Sequence, residues 1–115
     1  MPDDPEQRVA IESLQTELDA IDAWVKAGRW QEGLQRSQLA LARAEQTGFA
    51  PIVAEAQAGL STQLDRLGRR DEALAAHERA FELAVEARSE RLIAWQASRM
   101  LLSAVAEGQF REVQA

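Results

Sequence analysis

The chain has 115 residues, of which 46% are hydrophobic and 28% charged, a balance that fits one globular domain and excludes a disordered one. The net charge of −6 comes with no basic stripe, which argues against DNA, RNA or an anionic membrane as the main partner. Cysteine is absent, so disulfides and thiolate metal sites are excluded.

Alanine, leucine, glutamate, glutamine and arginine dominate, tyrosine is absent, and there are only three Pro and six Gly. This is a helix former's composition and predicts an all-α domain. The N-terminal "MPDDPEQRVAIE" is acidic and lacks the apolar centre of a signal peptide. No apolar run approaches the ~18 residues that suggest a membrane span. The expected location is the cytoplasm, with no membrane partner.

In chain order, Asp4, Pro5 and Gln7 read as a helix cap, a first-turn proline and a capping-box partner. Ile11, Leu14, Leu18, Ile21 and Val25 mark an apolar stripe, so the first helix is expected over about 5–27. A second follows over 30–46. Pro51 stands where a first helical turn tolerates a missing N–H, and Val53, Ala56, Leu60, Leu64 and Leu67 line one face of a helix over 51–67. Gly68 supplies the left-handed cap. Asp71 and Glu72 place negative charge at the start of a helix over 70–87, whose apolar face reads Leu74, His77, Ala80, Phe81 and Ala84. Ser89 is a cap for a fifth helix over 90–107. After Gly108, "QFREVQA" reads as the start of a sixth, too short to hold a helix without packing.

One register runs through these elements. "AGRWQEG" (27–33), "LGRRDEA" (67–73) and "EGQFREV" (107–113) share a Gly and a Glu at 40-residue spacing: Gly28, Gly68 and Gly108, with Glu32, Glu72 and Glu112. Leu34 answers Leu74, Ala40 answers Ala80, Leu41 answers Phe81, Ala44 answers Ala84, and Ile52–Val53 answers Leu92–Ile93. A fixed period in the range of ~20–50 residues signals a repeated architecture. Each glycine motif then reads as the turn of a helical hairpin. The small Gly33 and Ala73, and Ala40 and Ala80 farther on, let its two helices approach closely. Trp24 and Trp30 are assigned to packing.

The pattern resembles the tetratricopeptide repeat. Residues 54–87, "AEAQAGLSTQLDRLGRRDEALAAHERAFELAVEA", carry it best through Leu60, Ser61, Leu64, Leu67–Gly68, Glu72–Ala73, His77 and "AFEL" at 80–83. Departures are Leu64 and His77 in place of aromatics, Val85 in place of a terminal proline, Ile21 and Leu101 in place of the small residue, and Glu107 in place of leucine. Longer units of this kind, with a helix start like "GFAPIVAEA" and a next start like "SERLIAW", are similar to the repeat regions that follow bacterial serine/threonine protein kinase domains. No kinase motif is in the chain itself. The resemblance implies a right-handed stack of antiparallel hairpins, a TPR-like α-solenoid of about 2.5 repeats (5–47, 50–87 and a truncated 90–115). It also implies a scaffold or regulatory part of a longer bacterial signalling protein, which binds a protein or peptide.

Carried over by register, the groove formed by the first helix of each unit takes Leu18, Asp22, Val25 and Lys26, then Glu55, Ala58, Thr62, Asp65 and Arg66, then Trp95, Ser98, Leu102 and Val105. Trp95 and Arg66 lead this set, since aromatic and Arg residues are enriched at binding hot spots. Trp95 reads equally as core, and Arg66 as a solvated charge. Leu101, Leu102, Val105 and Phe110 form an apolar edge that a further helix, a partner or a second copy would cover, so a homo-oligomer is the alternative reading. His77, the single histidine, reads as a structural residue with no carboxylate at a pairing spacing. Asp3–Asp4 and Asp71–Glu72 read as helix-start charges. No catalytic residue, metal site or cofactor is assigned, and the chain is not expected to be an enzyme.

Overall fold

A computed structural model describes the backbone over residues 2–114, and side chains through Leu102 and at Val105. It is all-helical among the described residues: α1 (Pro5–Lys26), α2 (Trp30–Thr47), α3 (Ala50–Arg66), α4 (Arg70–Glu86) and α5 (Glu90–Gln114). None of these helices is long and apolar enough to cross a membrane.

The turns explain the topology. Gly28, Gly48, Gly68 and Arg88 all have positive φ, at 20-residue intervals. At three of these turns the same pair of bonds closes the helix. Gly28 N–H donates to the Val25 carbonyl and Arg29 N–H to that of Trp24. Gly68 and Arg69 repeat this on Asp65 and Leu64, and Arg88 and Ser89 on Val85 and Ala84. These bonds satisfy helix-end carbonyls and reverse the chain within three residues, so consecutive helices run antiparallel. Arg29 and Arg69 follow the two glycines and make equivalent ion pairs with Glu32 and Glu72. The hydrogen bonds it donates to the Glu72 carboxylate hold the exposed Arg69 guanidinium above its ordinary pKa.

Each helix packs on the next, and α3 also touches α1 and α5. The radius of gyration is 15.1 Å and the extents are 57 × 30 × 18 Å. A compact globule of this length would have about 13 Å, so the helices form an elongated row. The ion pairs Glu55–Arg91 and Asp65–Arg99 rise together along α3 and α5, so these alternate helices run parallel. The core is a continuous cluster that runs from Ile11, Leu14, Ile21 and Val25 of α1 through the small residues Ala40 and Ala44 of α2 and Ala54 of α3 to Ala80 and Ala84 of α4.

Several details differ from the sequence expectation. Gln7 does not close a capping box: Asp4 accepts from Glu6 N–H, while Gln7 Nε2 donates to the Thr47 carbonyl and ties α1 to the end of α2. Leu74 is 39% exposed, and α4 buries Ala73, Ala76, His77, Ala80, Leu83 and Ala84 instead. Helix α3 buries Ile52, Ala54, Ala58 and Gln63 beyond its expected stripe, because neighbours surround it. Trp30 is 44% exposed, its indole N–H donating to the Val25 carbonyl. Arg36 covers the Trp24 ring at 3.9 Å from the centroid.

The largest difference is at the third glycine. Helix α5 runs without interruption through Gly108, so the described residues contain no third turn and no sixth helix. Glu107 stands where Leu67 precedes Gly68, so the third copy departs from the second in sequence at its turn. A glycine inside a helix costs about 1 kcal/mol relative to alanine, a penalty that a continuous helix can absorb.

Candidate functional site

The alternate helices α1, α3 and α5 border a groove of about 570 Å³. The stripe that anchors α1 in the core leaves Leu18, Asp22 and Lys26 on its wall, α3 contributes Glu55, Ala58, Thr62 and Arg66, and α5 contributes Trp95. Sequence register therefore places these residues together. It also misplaces some. Val25 is 1% exposed and belongs to the core. Ser98, Leu102 and Val105 are exposed but lie off the groove, on the outer side of α5, as does Leu101. The side chain of Phe110 lies outside the described residues.

Asp65 is the most informative difference. Its Oδ2 lies 2.7 Å from His77 Nε2 and 2.9 Å from a guanidinium nitrogen of Arg99. His77 is 1% exposed, and its Nδ1 lies 2.8 Å from Gln96 Oε1. One carboxylate thus ties α3 to α4 and α5 through a buried polar cluster. Both ring nitrogens face an oxygen, Nε2 that of the Asp65 carboxylate and Nδ1 that of the Gln96 amide. The partner of His77 escaped sequence reading because it sits 12 residues away across a hairpin, a spacing no single helix predicts. No Ser, Thr or further carboxylate hydrogen-bonds the ring among the described residues.

The groove's electrostatics are bipolar. Asp19, Asp22 and Glu55 stand on the α1–α3 side, while Arg91, Arg99 and Trp95 stand on α5. Lys26 is paired with Asp22 at 3.0 Å, Arg91 with Glu55 at 3.0 Å and Arg99 with Asp65 at 2.9 Å. Arg66 makes no ion pair among the described residues. Arg99 also lies 5.6 Å from the Trp95 ring centroid, steadying a tryptophan that is 47% exposed. In the wall, the buried Gln63 Oε1 and Arg99 Nε have no partner among the described residues.

No family model, curated protein or solved structure matches this chain.

Arg91, Arg99 and Gln63 were missed by register alone. Arg91 is offset from the matched α5 positions, and Arg99 reaches the groove only because Asp65 draws it there. A second cleft of about 500 Å³ lies between the start of α1 and the end of α2, but the Gln7–Thr47 bond and the Arg43–Glu17 pair already bridge its walls. No group of three or more potential metal ligands occurs among the described residues.

Proposed function

We propose that the chain is a non-catalytic protein–protein interaction module that holds an extended peptide or protein segment in the α1–α3–α5 groove. The observation that carries this reading is the convergence of three alternate helices on one groove, lined by a half-exposed tryptophan on α5 and, on α3, by Arg66, which makes no ion pair among the described residues. A rigid aromatic and an Arg are the residue types that dominate binding energy at such surfaces. A fitting ligand presents an apolar side chain to Trp95 and an acidic group to Arg66.

In this reading the row of antiparallel helices is a tetratricopeptide-like α-solenoid, and α1, α3 and α5 are the first helices of successive units. The 40-residue period and the repeated turn geometry at Gly28 and Gly68 support it. The likeness to repeat regions behind bacterial kinase domains makes the module a scaffold or regulatory part of a cytoplasmic signalling protein.

Selection of peptides from a displayed library, followed by calorimetry on the isolated winners, tests the groove. Trp95→Ala and Arg66→Glu are each expected to weaken binding at least about tenfold, while an outer-face change such as Leu101→Glu leaves it unaltered. Peptides that bind both groove variants as tightly as the wild type would refute the reading.

A further inference from the structure

The outer side of α5 is an unusual surface for a chain that is 28% charged. From Leu92 to Ala106 the only charged residue is Arg99, and it turns away to pair with Asp65. Apart from Trp95 on the groove side, what this stretch shows to solvent among the described residues is Ala94, Ala97, Ser98, Leu101, Leu102 and Val105. Leu101 and Leu102 are 66% and 63% exposed. On the opposite side, Leu92 and Gln96 are buried, with Gln96 bonded to His77 of α4.

The repeat register says that this face is built to be covered. Ala94, Ala97, Ser98 and Leu101 stand 40 residues after Ala54, Gln57, Ala58 and Ser61. All four of those α3 residues are buried, and Gln57 donates to the Ala76 carbonyl on the antiparallel helix α4. The same face therefore has an antiparallel helix against it in α3 and none among the described residues in α5.

We propose that a second copy of this chain covers it, the two α5 helices packing antiparallel about a two-fold axis that crosses the helix between Arg99 and Met100. A two-fold perpendicular to a helix reverses its direction, so each α5 receives the antiparallel neighbour that α4 gives α3. The side chains fit that axis. The small residues occupy the N-terminal half of the face and the large ones the C-terminal half. The axis sets Ala94 against Val105 of the second copy, Ala97 against Leu102 and Ser98 against Leu101. Every pair is small on large, the complementarity that lets helices approach to about 8–10 Å. The charge fits as well. Two chains of net charge −6 repel, and this face brings no acidic residue to the axis.

Sedimentation equilibrium on the whole chain over a concentration series tests the proposal. The wild type is expected to dimerise reversibly. Leu101→Glu, at an exposed position and with helicity checked by circular dichroism, is expected to weaken association at least about a hundredfold, since the change enters a symmetric interface twice. Ser98→Lys alone is expected to do the same. Mixing the two variants should restore a heterodimer, because the positions face each other across the axis. Arg66→Glu, in the groove, should leave the dimer intact, which separates this surface from the peptide site. A wild type that stays monomeric throughout overturns the proposal, as does a dimer indifferent to Leu101→Glu. A mixture that stays monomeric overturns the register.

Discussion

The closest approach in the fold is a test of why the repeat has small residues at its turn. Gly33 lies in the first turn of α2, and a Cβ added there would overlap Cγ2 of Val25 on α1. Val25 is 1% exposed and held in the core, so it cannot swing aside. Gly33→Ala therefore sets two effects against each other. Helix propensity favours alanine by about 1 kcal/mol. Overpacking against a fixed side chain costs about 2 kcal/mol. The net expectation is a loss of about 1 kcal/mol, or roughly 4 °C in Tm for a domain of this size. Val25→Ala alone removes two buried methyl groups and should cost about 2 kcal/mol. In the double variant the new methyl fills space that Val25 vacated, so its cost should be near or below that of Val25→Ala, leaving a coupling of about 1–2 kcal/mol. Urea unfolding followed by circular dichroism, with constant m across the four proteins, measures the cycle. A Gly33→Ala protein more stable than wild type, or stabilities that simply add, would refute a close α1–α2 contact at this glycine.

Repeat-equivalent glycines should respond with opposite signs. Gly68→Ala forces a Cβ into a residue at φ 73° and is expected to lower stability by about 1 kcal/mol, whereas Gly108→Ala, within α5, should raise stability or helicity slightly. Thermal unfolding of the two variants checks this, and a destabilising Gly108→Ala would argue for a turn there. Asp65→Ala leaves the buried His77 Nε2 without a partner and should cost about 2 kcal/mol, while Asp65→Asn, which can still accept, should cost less. If the two variants are equally stable in urea, the carboxylate is not the clamp between α3, α4 and α5. The groove substitutions at Trp95 and Arg66 and the outer-face pair at Ser98 and Leu101 complete the set, and their readouts, calorimetry and sedimentation, are independent.

The helices themselves were legible from end to end because their signals are local. Pro5, Pro51, Gly68 and Ser89 act within a turn or two of their own position, and the helix bounds they imply agree with α1 to α4 within about two residues. The left-handed residue at Arg88 was not legible, since nothing in an arginine announces positive φ. It follows from its place 20 residues after Gly68, where the row needs another reversal. Periodicity also told which face of α1 is buried, yet it undercounted α3, because a stripe reports the residues that prefer burial and not the number of helices that surround them.

What the amino-acid sequence determined by itself is the all-α class and the 40-residue period; a groove shared by α1, α3 and α5 was implied only by the resemblance to tetratricopeptide repeats. Helix geometry converts a fixed spacing into a fixed face. What only the tertiary structure decided depends on pairs far apart in the chain. Asp65 left the groove to join His77 and Arg99, where its carboxylate accepts from the guanidinium and lies within hydrogen-bond distance of the buried imidazole. Val25 went into the core beside Gly33, where the helices nearly touch. The third glycine, identical in spacing to the first two, became part of helix α5, because spacing marks where a turn is tolerated and a glycine inside a helix costs only about 1 kcal/mol.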